Sequence, residues 1–527
     1  MFMLKTILLS IALFFVSCGI KANTYYVTTA SDTGAGSLRV MIDSANSHIG
    51  LDTILLSLGI NDTVHLASAL PTITDSLVIT GLPCQNPTID GDSLSFNHPA
   101  FYATGSKPLT LNYLNIFNCK TSGSGKAGAV SAGYLYMNYC FFYGNSNISD
   151  SATAGTSGVA YSPRLWASNC SFDSNTCIAP ANSFNAGAGV LVSGNGNLSN
   201  CTFTGNYSAS YGGALNGSFN ITNCTITGNY AGIGGGGLFS YSVTGGFVIG
   251  NNIVWGNTIG NTSGTYLAGI DLYADVTSGG CNILQDVAAA DSFKTTGTDI
   301  TGTDPQLGTF GYYSGCVPVL PILCGSVAQN HASCAGATAT DAEGIAAQGI
   351  RDAGAFEITY PNLGGDTIDS IQPEATASLY NYFNVTGLTV VWPAGLNDSS
   401  AAAVDTGTYT VIGTNFLGCS DTASVTVLYA TDTLNTGIKT LAGTTAFNVY
   451  PNPAKDVAVL SWNGNITGEL ALKVNDMLGR TVFFQNMNAG SGKYSLNTSA
   501  LVSGVYCITV QQGEQKVFSG RLVVIGR

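Results

Sequence analysis

The chain has 527 residues, 66 of them glycine, with 17 Lys and Arg against 30 Asp and Glu, for a formal net charge of −13. Charged residues make up 9% of it, against about 25% in an ordinary soluble domain, which excludes helical bundles with salt-bridged faces. The acidic balance excludes nucleic acid as a partner held by counterion release, and an apolar fraction of 45% supplies a core and excludes a wholly disordered chain.

Met1 to Ala22 reads as a secretory signal peptide, because Lys5 precedes an apolar run, Ile7 to Val16, too short to span a bilayer. Cleavage after Ala22 gives a soluble chain; the alternative, a lipid on Cys18 of Val16-Ser17-Cys18, has Phe15 at an unusual place for such a signal. Further on, Leu38, Met41, Ile42 and Ala45 fall at helical spacing and predict a short capping helix over Ser37 to Ser47.

From residue 138 a repeat sets in. Asn138-Tyr139-Cys140-Phe141-Phe142-Tyr143-Gly144-Asn145 is echoed by Asn169-Cys170-Ser171-Phe172-Asp173-Ser174-Asn175, Asn200-Cys201-Thr202-Phe203-Thr204-Gly205-Asn206 and Asn223-Cys224-Thr225-Ile226-Thr227-Gly228-Asn229. A fifth copy, Asn251 to Asn257, carries Asn252 in place of the Cys, and successive units lie 30, 31, 23 and 28 residues apart. That period is one coil of a solenoid. Within a unit, apolar residues alternate with small polar ones, as in a strand with one face inward. Between units lie Gly-rich stretches such as Tyr211-Gly212-Gly213-Ala214-Leu215 and Gly234-Gly235-Gly236-Gly237-Leu238, where the chain must turn or pack closely on the next coil. Stacking predicts an interior ladder of reduced thiols, Cys140, Cys170, Cys201 and Cys224, and a second ladder of Asn145, Asn175, Asn206, Asn229 and Asn257 at a bend.

These half-coils resemble the repeats of the polymorphic outer-membrane protein family, which implies a right-handed parallel β-helix. Tyr26-Val27-Thr28-Thr29-Ala30-Ser31-Asp32-Thr33-Gly34-Ala35-Gly36-Ser37-Leu38-Arg39 resembles the N-terminal cap of bacterial β-helix proteins of the choice-of-anchor type. Asp304-Pro305-Gln306-Leu307-Gly308 and Arg351-Asp352-Ala353-Gly354-Ala355-Phe356-Glu357 are similar to the closing coil of that group. The β-helix is thus expected over 23–358. Three cysteines crowd its end, Cys316, Cys324 and Cys334, enough for one disulfide with one thiol left over.

Residues 361–430 contain Trp392, Asp405-Thr406-Gly407-Thr408-Tyr409 and the alternating strand Ala423 to Val427, and look like an immunoglobulin-type sandwich with a tyrosine corner, expected to serve as a spacer. A polar linker, 431–445, precedes the last module, 446–527. There Asn448-Val449-Tyr450-Pro451-Asn452-Pro453, Asn475-Asp476-Met477-Leu478-Gly479-Arg480 and Leu501-Val502-Ser503-Gly504-Val505-Tyr506 resemble the type A C-terminal sorting domain of the type IX (Por) secretion system. The resemblance implies a small β-sandwich, the type IX translocon and sorting machinery as partners, and delivery to the outer cell surface or the medium. Its motif residues are Pro451, Asn452, Pro453, Gly479, Arg480, Gly504 and Tyr506. The fold class is therefore all-β.

Chemistry is sparse. From Phe101 to Ile270 the acids are Asp150 and Asp173, the bases Lys107, Lys120, Lys126 and Arg164, and there is no Glu or His. Glycosidases need paired carboxylates and lyases need a base, so no catalytic residue is assigned, and a polysaccharide-cleaving enzyme is the second reading. Asp173 is expected on an outward strand position. Asp271, Asp275, Asp286, Asp291, Asp299 and Asp304 gather near the last coils, where a structural Ca²⁺ competes with a plain solvated face; no other cofactor is implied. His48, His65, His98 and His331 read as lone polar residues. Tyr207 and Tyr230 each follow a Gly-Asn turn and are expected to stack on one edge, near Tyr211, Tyr241, Tyr266 and Tyr273; aromatic faces beside amides and hydroxyls suit sugar rings, although stacked tyrosines also simply cover a turn. Tyr207, Tyr211, Tyr230 and Tyr241 are the candidate ligand residues, and a polysaccharide or cell-surface glycan the candidate partner.

Overall fold

The structure is a computed structural model that describes residues 22–525 except 60–61, 97, 124–126, 150–155, 180–187, 241–245, 261–271, 274–275, 286–295, 373–374, 394, 431–445, 464–467 and 514. Residues 1–21 of the segment read as a signal peptide, Cys18 among them, the expected linker, Asp150, Tyr241, Tyr266, Asp271, Asp275, Asp286 and Asp291 lie outside the described residues.

The chain winds into a parallel β-solenoid of about 8 turns. Three parallel sheets of 14, 10 and 7 strands wall it. The first carries the long strands, among them Pro108–Asn112, Tyr134–Asn138, Ala160–Ser168, Leu191–Ser199 and Leu215–Thr222; the second runs from Thr63–His65 to Ile300–Thr301, and the third from Ser95–Phe96 to Thr258–Ile259. Neighbouring coils hydrogen-bond residue for residue: Phe142 pairs Phe172, which pairs Phe203, which pairs Ile226. Stacking follows from that register, with ring centroids 5.1 Å apart for Phe142 and Phe172 and 4.7 Å for Phe172 and Phe203.

The two asparagines of each repeat do different work. In the second to fifth units the first sits at the corner between the first and second sheets with φ of 53° at Asn169, 52° at Asn200, 50° at Asn223 and 61° at Asn251, a left-handed conformation that Asn tolerates better than other side chains do, while in the first unit Tyr139 takes that corner at φ 50°. The second is buried and continues the backbone ladder through its amide. Asn145 Nδ2 donates to Asn175 Oδ1 (3.0 Å), Asn175 to Asn206 (2.9 Å), Asn206 to Asn229 (2.8 Å) and Asn229 to Asn257 (2.8 Å). The thiol ladder is also present: Cys140, Cys170, Cys201 and Cys224 are free and buried, as are Cys119 and Cys177. The Gly-rich half-coil is explained by contact, since a Cβ on Gly189 would meet Gly213 O at 1.9 Å and one on Gly213 would meet Gly236 O at 1.9 Å.

The helix Leu38–Asn46 closes the first coil with Leu38, Ile42 and Ala45 buried; Ser37 is its N-cap, accepting from Val40 N, and Ser47 its C-cap. Arg39 is bound into this cap, donating to Asp32 (2.6 Å), Ala69 O (2.7 Å) and Ser68 O (2.9 Å).

The far end differs from expectation. Residues 305–358 form no last coil; they run back along the second sheet as a strap, reaching Asn86, Ser171, Thr225 and Asn251 through hydrogen bonds with Cys316, Pro318, Ala355 and Gly354. The strap buries the outward side of that sheet, including Ser171, Thr202, Thr225 and Ile253. Its three cysteines do not pair among themselves and none is left over: the disulfides are Cys84–Cys316, Cys281–Cys334 and Cys324–Cys419. A non-repeating segment lying across the coils meets cysteines far away in sequence, so proximity along the chain is a poor guide to its pairing.

Residues 22–369 with 376–427 form one compact unit, and residues 370–375 with 428–525 another. In the first unit, the strands Thr389–Val391, Gly407–Thr414 and Ser420–Tyr429 belong to a four-stranded sheet, and Tyr409 Oη donates to Asp405 O at 2.9 Å, the hydrogen bond of a tyrosine corner. Leu417 and Cys419 pack with Val317, Val319 and Phe356 of the strap, and Tyr313 stacks on Phe416 at 5.0 Å. The second unit holds two antiparallel sheets, of three and four strands, over a core of Leu460, Trp462, Leu472, Val474, Ile508 and Leu522. Among the described residues no helix is long and apolar enough to cross a membrane.

Candidate functional site

On the strands Tyr134–Asn138 and Ala160–Ser168, Leu135, Met137, Leu165 and Ala167 point into the core, so Tyr134, Tyr136, Arg164 and Trp166 face outward. In-register pairing sets Tyr136 beside Trp166, Trp166 beside Asn197 and Asn197 beside Asn220. The Tyr136 and Trp166 rings stack with centroids 4.7 Å apart and planes 8° from parallel, and Asn220 Nδ2 donates to Asn197 Oδ1 at 3.0 Å. A groove of about 490 Å³ runs over this column, with Gly336 and Thr338 of the strap lining it too. Thr338 is held in place by the corner asparagines: its hydroxyl donates to Asn200 Oδ1 (2.7 Å) and its N–H to Asn223 Oδ1 (3.0 Å). None of the residues lining the groove is an acid, a histidine or a cysteine.

The tyrosines singled out by sequence divide. Tyr207 and Tyr230 stack, with centroids 5.2 Å apart and planes 4° from parallel, and Tyr207 is exposed. Tyr211 is buried and stacked on Phe239 (4.3 Å), so it is core and not surface. Side chains of Tyr241 and Tyr273 lie outside the described set. Sequence reasoning missed the Tyr136 and Trp166 platform. The signal was available: both lie two residues after a residue whose outward direction follows from the alternation, but their separation of 30 residues becomes a contact only once the coil length there is known.

Titratable groups are mostly spent on structure. Asp299 ends the column that continues the thiol ladder through Asn252 and Asn282, accepting from Asn282 N (3.0 Å) and Nδ2 (2.9 Å), and also from Ser278 Oγ and Thr296 N; Asp304 accepts from Gln306 N. Those two are the described members of the acid group considered for Ca²⁺. Asp173 occupies an outward strand position but is partly covered, and burial raises its carboxyl above the usual range. His65, read from sequence as a lone polar residue, lies beside Asp90 and Asp92 with their ligating atoms within 4.8 Å of one another. Its Nδ1 is 2.8 Å from Asp92 Oδ1, while both Asp90 oxygens accept from Asn118. In the strap, Arg351 and Glu357 form a buried ion pair at 2.8 Å. Burial pushes Asp341 and Asp352 up to about 6, opposed by the backbone N–H groups of Ile345, Glu357, Asn330 and Ile358 that their carboxylates accept from.

In the C-terminal unit the motif residues hold the ends of strands together. Asn452 Nδ2 donates to Arg521 O (2.7 Å) and its Oδ1 accepts from Val523 N (2.8 Å), pinning the Pro451-Asn452-Pro453 segment to the last strand. Gly479, at φ 80°, makes the tight turn in which Arg480 pairs Asp476 at 2.7 Å, and Tyr506 Oη donates to Val502 O at 2.6 Å. Gly504 begins the strand Gly504–Gln512. Met477, Leu478 and Val502 stand exposed at its surface.

Residues 448–525 match the family model of the secretion system C-terminal sorting domain. The chain therefore carries a type IX sorting domain, which implies export by that system to the cell surface or the medium. No curated protein matches the sequence. Among solved structures, the chain is similar to dimeric latent PorU from Porphyromonas gingivalis at 14% identity and a TM-score of 0.14, over 31% of this chain and 19% of that one.

Proposed function

We propose that the protein is a surface-displayed or released, non-catalytic glycan binder, an adhesin whose solenoid presents the groove over Tyr136, Trp166, Asn197 and Asn220. The observation that carries this reading is the stacked pair of outward-facing, partly exposed aromatic rings continued in register by two hydrogen-bonded amides, walled by the strap and without acid, histidine or cysteine in its lining. An aromatic face covers the apolar side of a sugar ring, and amides meet its hydroxyls. Sorting through residues 448–525 supports the outside of the cell as the place where such a groove would work. The motif residues Pro451, Asn452, Pro453, Gly479, Arg480, Gly504 and Tyr506 would act by keeping that module folded for the translocon, and Tyr207 with Tyr230 would offer a second stacking edge.

The test is retention on immobilised polysaccharides with the polymer length followed in parallel. Trp166→Ala should weaken retention about tenfold or more, as removal of a central aromatic anchor does, and Tyr207→Ala should weaken it less. Shortening of the polymer would refute the non-catalytic reading.

A further inference from the structure

The proposed groove also indicates which glycans it would take. Along the first sheet, the strand segments Pro108–Asn112, Tyr134–Asn138, Arg164–Ser168, Asn195–Ser199, Phe219–Thr222 and Phe247–Gly250 contain one formal charge among them, the cation of Arg164. This is notable in a chain with 30 acids and 17 bases. Lys107, just before the first of these segments, is held by Asp75 at 3.0 Å. Arg164 is exposed and forms no ion pair among the described residues; its guanidinium lies over the ring of Tyr134, 5.1 Å from the centroid. That arrangement holds the side chain upright through a cation–π contact while leaving its N–H donors open. Arg164 is not in the lining of the groove but stands beside it, two residues along the strand from Trp166, about 6.6 Å at strand rise.

We propose that the groove is specific for anionic glycans, with one sugar ring stacked on Tyr136 and Trp166 and a carboxylate or sulfate of the same or next residue bound by Arg164. This rests on the glycan-binding reading above and narrows it. A planar guanidinium meets a carboxylate or sulfate through paired, charge-assisted N–H bonds, which a neutral hydroxymethyl group cannot return. The acidic balance of the whole chain makes general attraction of polyanions unfavourable, so recognition depends on this local cation and not on a diffuse field.

The experiment compares matched pairs on one array with the full exported chain: hexagalacturonate and its methyl ester, sialylated and desialylated oligosaccharides, sulfated and desulfated ones. Wild-type protein should retain at least one anionic member about tenfold more tightly than its neutral counterpart. Arg164→Gln should erase that preference without changing retention of the neutral member, Arg164→Lys should restore part of it, and added salt should weaken the anionic member alone. Equal retention of both members, a preference that survives Arg164→Gln, or no retained anionic glycan overturns the proposal. If neutral glycans are then still lost in Trp166→Ala, the groove reading stands without it; if no glycan depends on Trp166, that reading falls as well. Arg164 is exposed and outside the core, so melting curves of its variants should match the wild type.

Discussion

At the scale of single residues, the repeat spends the same amino acid on two unlike tasks. The corner Asn is chosen by backbone conformation, and its side chain is left over to grip the strap, as Asn200 and Asn223 do with Thr338. The ladder Asn is chosen by its amide, which donates and accepts at once along the stacking direction. Asn206 donates to Phe172 O and Asn229 Oδ1 and accepts from both the N–H and the amide of Asn175. Asn206→Ala should therefore cost about 3 kcal/mol or more, because several buried groups lose partners together, and a denaturant midpoint measured beside Thr204→Ala, on the outward face, will show the difference. Burial pushes the Cys177 thiol up to about 12, so it acts as apolar packing and not as a reagent.

At the scale of elements, the strap decides more than any coil. It covers one sheet, lines the groove on another and carries three of the six disulfide-bonded cysteines. Its buried carboxyls make its grip sensitive to pH. Asp341 and Asp352 sit at about 6 in the folded chain against about 3.9 when unfolded, so between those values the folded state binds more protons. Their contribution to stability is greatest below about 4 and is lost as pH rises through about 6. The groups facing them, Arg351, Glu357 and Glu343, keep the balance local. Amide protection factors at Glu357 and Ile358, corrected for intrinsic exchange, should be higher at pH 5 than at pH 7; the opposite order would show that the backbone donors outweigh burial. Sequence made the helix over Ser37 to Ser47 legible, since capping residues and apolar spacing are local. The strap stayed illegible because it has no period and its partners are set by where the solenoid happens to lie.

At the scale of the whole molecule, an open coil exposes strand edges; the helix Leu38–Asn46 covers the first coil, while the strap covers the flank of the second sheet. The C-terminal unit carries its own core and the sorting motifs. Deleting 446–527 should leave the solenoid folded and the protein trapped inside the envelope; immunoblots of cell fractions and medium will show whether surface exposure is lost while protease resistance of the solenoid is kept. The amino-acid sequence by itself determined the coil, its two ladders and the cap helix, because each rests on short-range alternation or on the same position recurring one turn later, and it gave the sorting module through the resemblance of its motifs. Tertiary structure alone decided the disulfide partners, the burial of Tyr211, the company His65 keeps and the platform of Tyr136 and Trp166. Those depend on which coil meets which and on the path of a segment without repeats, and neither is encoded in any local spacing.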